Sequence, residues 1–294
     1  MLTKEKMLWK IDNLVEGTII KRPSKMIKTP YVADILHCET NEIVLGHTAS
    51  LGCCGLADNS AHILMSPARP KKPSKKDIDK LKCAYTVYLA IHKDEKHQKE
   101  VYIGIFPKLA ENIVEKALEN NYLQKLQNVK SYKRETPVYI ENFVDSRFDF
   151  SGHDENDRPF IMEVKNVPLA HYEDVPSKER SKMDFSGREY GSKVAYFPDG
   201  YRKTSSSPIS PRALKHIREL SYIKKSTNTR CIMCYVIQRN DVNRFQVSVI
   251  DPEYRQAVKE AIENGVEIIT LVVEWNRNGE AYFITDELPI TSFD

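Results

Sequence analysis

Short apolar runs separated by polar turns dominate the first 95 residues. Residues 17–20, 31–36, 43–45, 61–65 and 85–92 each have the length of a strand. Strands this short and this evenly spaced predict a small β-barrel or sandwich. A polar turn over residues 39–42 makes the second and third runs hairpin partners. Beyond residue 95 the period changes. From residue 108 to 126, apolar residues recur at helical spacing through Leu109, Ile113 and Ala117, with Leu123 and Leu126 beyond. Three strand patterns follow, around 136–143, 146–152 and 158–166. Residues 170–207 are polar and rich in Ser, Lys and Glu, with little periodicity. Ser210 then offers an N-cap with Pro211 at the first helical position, and the helix runs on through Leu214, Ile217 and Leu220. Strands near 230–238 and 245–250 come next. A helix from Asp251-Pro252 to near Gly265 and a strand over 266–275 complete the series. The order α-β-β-β-α-β describes a mixed sheet flanked by helices. The expectation is two domains, residues 1–95 and 96–294.

Charge inside the strand patterns brings in the chemistry. Ser146-Arg147-Phe148-Asp149-Phe150 and Phe160-Ile161-Met162-Glu163-Val164-Lys165 are apolar runs that carry Asp149, Glu163 and Lys165. Side chains alternate along a strand, so Glu163 and Lys165 share one face and Val164 takes the other. Asp149 lies 14 residues before Glu163, a distance suited to strand–turn–strand. A hairpin would gather two carboxylates and a lysine at one sheet edge. That set suits a hard cation such as Mg²⁺ or Mn²⁺, with the carbonyl of Val164 as a further ligand and Lys165 beside the reacting phosphate. The same triplet also describes a solvated strand face with a surface ion pair. The flanking Phe148, Phe150 and Phe160 favour a site, because charge in apolar surroundings is costly unless paired or metal-bound. Glu135, ahead of the first of these strands, is either a further acidic group for the site or an ordinary surface residue.

Basic residues point to a polyanionic partner. Residues 69–76 form a basic stretch broken by prolines and including Lys71 and Lys72. It reads as an exposed loop that either aids solubility or contacts a phosphate backbone. Arg212, Lys215 and His216 lie on adjoining helix faces near an N-terminus, a placement that favours phosphate or leaves a solvated face. The formal net charge of +3 does not announce nucleic acid, so any such footprint is local. No apolar run approaches the roughly 20 residues of a membrane span, and no apolar stretch follows the N-terminal lysines, so an intracellular location is expected. Six cysteines are too few for a disulfide framework at this length. Cys231 and Cys234 have metal-pair spacing, but on a strand their sulfurs diverge.

The chain resembles the sugar fermentation stimulation protein family. The matching stretches are residues 146–150, 162–167, 197–199, 214–220, 236–239, 251–254 and 265–267, in the family's order. The resemblance implies an N-terminal OB-fold β-barrel followed by a PD-(D/E)XK restriction-endonuclease-like α/β domain. It also implies DNA binding, a metal-dependent nuclease site and a link to sugar metabolism. By that pattern Asp149, Glu163 and Lys165 take the catalytic core, Glu135 takes the helix-proximal acidic position, and Pro70-Lys71-Lys72 takes the family's basic segment. The chain departs from the family at His47-Thr48-Ala49-Ser50-Leu51-Gly52, at Gly104-Ile105, and in two long links, 167–197 and 200–211. The expected function is a DNA-binding protein with a Mg²⁺-dependent phosphodiesterase site. The alternatives are a non-catalytic DNA-binding regulator of sugar metabolism genes and a module for a small phosphorylated ligand.

Overall fold

The structure, a computed structural model, describes residues 6–48, 53–68, 82–200 and 207–293. The chain divides into two compact units. The first is Met1–Leu109 with Glu274–Tyr282, and the second is Ala110–Val273 with Phe283–Asp294. The class is mixed α+β and dominated by sheet. No helix among the described residues is long and apolar enough to cross a membrane.

The first unit holds β1 (Met7–Lys10), β2 (Val15–Lys21), β3 (Val32–His37), β4 (Ile43–His47), β5 (His62–Pro67), β6 (Tyr85–Asp94) and β7 (Lys99–Gly104). Its strands neighbour one another in the order β4-β3-β2-β5-β6-β7. β4 also pairs with β6, in parallel, at Gly46↔Tyr85 and His47↔Thr86, so the path through β2 to β6 returns on itself. Ile19, Ile35, Ile63, Met65 and Leu89 are fully buried. The strands expected from the sequence are present, with ends moved by one or two residues. β1 and β7 are additions. β7 pairs with β6 across a polar turn and keeps residues 96–104 with the first unit rather than the second.

The second unit begins with α1 (Lys108–Glu119), β8 (Ser131–Ile140), β9 (Val144–His153) and β10 (Pro159–Val167). β11 (Ala170–His171), α2 (Ser177–Arg180), β12 (Lys193–Phe197) and α3 (Pro211–Ser226) follow. β13 (Arg230–Ile237), β14 (Val242–Val247), α4 (Pro252–Glu263), β15 (Glu267–Trp275) and β16 (Glu280–Thr285) complete the chain, the end of β15 and the first half of β16 belonging to the first unit. The main sheet runs β15-β13-β10-β9-β8. Its β15, β13 and β10 are parallel, and β9 and β8 continue antiparallel. Cys231 to Ile237 are all buried, as a central parallel strand covered on both faces requires. Burial pushes the Cys231 thiol up to about 12 and raises Cys234 as well. Both thiols are free.

Local chemistry sets the helix starts. Ser210 Oγ accepts from Ala213 N at 3.4 Å and Asp251 Oδ1 accepts from Tyr254 N at 3.2 Å, each followed by proline. α4 is followed by Gly265 at φ +91°, a backbone glycine adopts freely. α3 buries Ala213, Leu214, Ile217, Leu220 and Ile223 in one core with β9, β13 and α4. α1 ends earlier than its periodicity predicts, at Glu119, although Leu123 and Leu126 stay buried in the following turns. The polar stretch before α3 also carries structure: β11, β12 and β14 form a small sheet, and buried Asp174 accepts from Gln246, Ser248 and Val249.

Candidate functional site

The β9–β10 ladder runs from His153↔Pro159 to Phe150↔Met162 and stops. The next rung would set Asp149 opposite Glu163. Instead Asp149 Oδ2 accepts the Val164 N–H at 2.7 Å. On its other edge β9 pairs with β8 at Arg134↔Phe150 and Thr136↔Phe148, and the rung between, Glu135 with Asp149, is also missing. Continuing both registers therefore lines up Glu135, Asp149 and Glu163 across three strands. Like charges directly opposite are destabilising in a sheet, and the ladder opens where they would meet. Glu135 itself has φ +53°, an uncommon backbone for a residue with a side chain.

β10 stays paired with β13 through this region, at Glu163↔Met233 and Lys165↔Tyr235. Glu163 and Lys165 share the face of β10 on which Ile161 and Val167 join the α3 core. Lys165 Nζ donates to Glu163 Oε1. From α3, His216 brings its Nδ1 to 2.5 Å from the same oxygen, and its ring lies 5.8 Å from that of Phe148.

Burial alone would raise the Glu163 carboxyl, which is only 2% exposed. The charge of Lys165 and the hydrogen bond from His216 overcome that and hold its pKa below the usual value. Asp149 goes the other way. Burial, and then the Glu163 charge, push it up to about 7 against the Val164 N–H and Lys165. Glu163 Oε2 is buried with no hydrogen-bond partner. Among the described residues no group of three or more His, Cys, Asp or Glu forms a ready metal cage. Two carboxylates, one with an unanswered oxygen, still fit a small hard cation, which takes one or two protein carboxylates and completes its shell with water and phosphate.

The expected site residues fall into three groups. Asp149, Glu163 and Lys165 are brought together, with Val164 between them and its N–H committed to Asp149. Glu135 lies within β8 rather than before the strand, and its carboxylate is half exposed, 3.7 Å from Arg147. Arg212 and Lys215 are exposed and line an open cleft of about 430 Å³ with Asp145, Ser146, Arg147 and His216. Lys215 Nζ is tied to the Asp145 carbonyl at 2.5 Å and lies 3.7 Å from Glu219. His216, expected on a phosphate-binding helix face, is 3% exposed and turned inward onto Glu163. Lys71 and Lys72 lie outside the described residues.

Glu111 was not anticipated. It sits in the first turn of α1, pairs with Arg134 at 2.8 Å, and lies close enough to Asp149 to help raise its pKa. The signal that points to it is an acidic residue opening the helix that precedes the three strands.

A family model described as the sugar fermentation stimulation protein RE domain matches residues 108–279. That span holds Asp149, Glu163, Lys165, His216 and the whole of the cleft. The chain belongs to the sugar fermentation stimulation protein family. A family homolog from Maricaulis maris is 26% identical over 263 residues, covering 89% of this chain and 90% of its own. One from Pseudoalteromonas atlantica is 27% identical, over 88% and 89%. One from Clostridium perfringens reaches 31% over 173 residues, 58% of this chain and 60% of its own. The solved structure of Pyrococcus furiosus SfsA in complex with Ca²⁺ matches with a TM-score of 0.71 at 20% identity, covering 97% of this chain and 99% of that one. At that identity the likeness establishes a shared fold.

Proposed function

We propose that this family member binds DNA and hydrolyses phosphodiester bonds at Asp149, Glu163 and Lys165 with Mg²⁺ or Mn²⁺. In this reading the second unit is a PD-(D/E)XK nuclease-like domain and the first an OB-fold domain. The observation that carries it is the unpartnered Glu163 Oε2, buried beside the protonation-prone Asp149 and the Lys165 ammonium. An orphaned buried carboxylate oxygen is costly unless a ligand completes it. A bound divalent ion would polarise the scissile phosphate and lower the pKa of a coordinated water.

The remaining chemistry belongs to the chain. Asp149 and Glu163 hold the ion, with the Val164 carbonyl as a further donor. Lys165 partly neutralises Glu163 and presents N–H groups to a phosphoryl oxygen as negative charge develops there. Glu135 and Glu111 flank Asp149 and add negative potential. Arg147, Arg212 and Lys215 line the cleft beside His216 and suit a phosphate backbone, whose binding would weaken steeply with salt. Lys71 and Lys72 belong to the same role on sequence grounds. The Ca²⁺ in the Pyrococcus relative supports a divalent-cation site in this family. The returning strand path of the first unit supports the OB reading, with the exposed Tyr31 as a stacking surface for a base.

The test is cleavage of labelled single- and double-stranded DNA in Mg²⁺ and Mn²⁺, comparing wild type with Lys165→Ala. Cutting by wild type alone supports the reading. No cutting, alongside salt-sensitive DNA binding in Ca²⁺, replaces it with a non-catalytic DNA-binding regulator.

A further inference from the structure

We infer that His216 is a positioning residue that makes Glu163 a one-oxygen ligand and thereby favours Mg²⁺ and Mn²⁺ over Ca²⁺. This rests on the divalent-cation reading above. A carboxylate only accepts hydrogen bonds, so the 2.5 Å contact requires the proton of His216 on Nδ1. Lys165 Nζ lies 3.5 Å from that same nitrogen. Both groups are donors, so this contact is not a hydrogen bond, and both converge on Glu163 Oε1. That oxygen is occupied, while Oε2 has no partner. Two-oxygen ligation would displace at least one of these donors from Oε1 inside a buried site, where an unanswered donor is costly.

The helix holds the arrangement in place. His216 lies among Ala213, Ile217 and Leu220, all packed in the α3 core, and its ring rests near Phe148. Although it borders the cleft, it is only 3% exposed, and swinging it off Glu163 would disturb that packing.

Cation chemistry supplies the consequence. Mg²⁺ demands near-ideal octahedral geometry and takes carboxylates through one oxygen, whereas Ca²⁺ takes more ligands and commonly binds both oxygens of a carboxylate. A carboxylate locked through one oxygen therefore penalises Ca²⁺ more. Groups behind a metal ligand typically contribute 10–100-fold in affinity.

The experiment is calorimetric titration of the full chain with Mg²⁺, Mn²⁺ and Ca²⁺, using wild type, His216→Leu, His216→Gln and His216→Asn. Thermal melts accompany each titration. Leu offers no donor. The Gln amide reaches the Nε2 position rather than the Nδ1 position, so Gln also fails. The Asn amide falls near Nδ1 and restores the donor. The expected result is a loss of Mg²⁺ and Mn²⁺ affinity of about 10-fold or more in the Leu and Gln variants, a smaller loss or a gain for Ca²⁺, and recovery with Asn. If Leu does not fold, the Gln and Asn pair carries the comparison. An unchanged Mg²⁺-to-Ca²⁺ ratio in Leu and Gln overturns the role of His216 while leaving the cation site standing. A wild type that binds none of the three ions overturns the cation reading and this inference with it.

Discussion

Two buried clusters of opposite charge in the second unit, one around Asp241 and one around Glu163, are finished differently. Around Asp241, Oδ1 accepts from Arg239 Nε at 2.6 Å, and Oδ2 accepts from Arg239 Nη2 at 2.7 Å and Lys193 Nζ at 2.6 Å. Burial alone would raise this carboxyl, but Arg239 and Lys193 hold it well below the usual carboxylate range. The cluster ties the start of β12 to the start of β14, where Lys193 pairs with Val242. Around Glu163 one oxygen takes two donors and the other takes none, and the neighbouring Asp149 is pushed up to about 7. A buried carboxylate with donors on both oxygens is held by the fold. A vacant oxygen beside an upward-shifted carboxyl is what the proposed cation site would use.

The largest expected effect that separates the two is on stability. Asp241→Ala leaves Lys193 and Arg239 buried without their carboxylate and should cost about 3–5 kcal/mol in urea unfolding. Glu163→Gln should cost less, because the amide oxygen can still accept from Lys165 and His216 while the charge that raises Asp149 is removed. Equal losses for the two variants would erase the distinction.

Activity should divide them the other way. Asp149→Asn and Lys165→Ala should lower DNA cleavage about 10²–10³-fold, with DNA affinity in Ca²⁺ little changed. Full activity in Lys165→Ala would remove that lysine from the chemistry.

The pH dependence should differ in sign. Asp149 binds its proton more tightly in the folded chain than in the unfolded one, where its pKa is the ordinary 3.8. Its contribution to stability is fully present below 3.8 and is lost as pH rises toward about 7. Asp241 is shifted downward, so its contribution is present above 3.8 and is lost as pH falls below it. Urea unfolding in EDTA between pH 4 and pH 8, a range of about four units chosen to span the Asp149 shift, should show a decline that Asp149→Asn flattens. A wild-type curve with no such component would contradict the upward shift.

The smallest effect concerns the cleft. Arg212→Ala should weaken DNA binding similarly for all sequences and reduce the salt slope by about 1. An unchanged slope would place the backbone elsewhere.

Much of this was legible along the chain. The Ser210-Pro211 and Asp251-Pro252 helix starts follow from capping chemistry, which acts within one turn. The meeting of Asp149, Glu163 and Lys165 follows from strand alternation and a short connection. Other features needed contacts distant in sequence. β12 is a brief run inside a polar segment, and it becomes a strand because β14 pairs with it. β7 and β16 are strands because β6 lies beside the first and β1 and β15 beside the second. Glu111 matters only because β9 sets Asp149 near α1.

His216 marks the boundary most clearly. The sequence grouped it with Arg212 and Lys215 as a basic helix face. Sequence by itself determined most of the longer elements, two helix caps, the charged strand set and the family resemblance. Tertiary structure alone decided that His216 turns inward onto Glu163, and that one carboxylate oxygen is left unanswered. Local rules such as capping and periodicity read a few neighbouring residues. The partner of a buried charge is set by which strands and helices pack together, and those residues lie 53 positions apart.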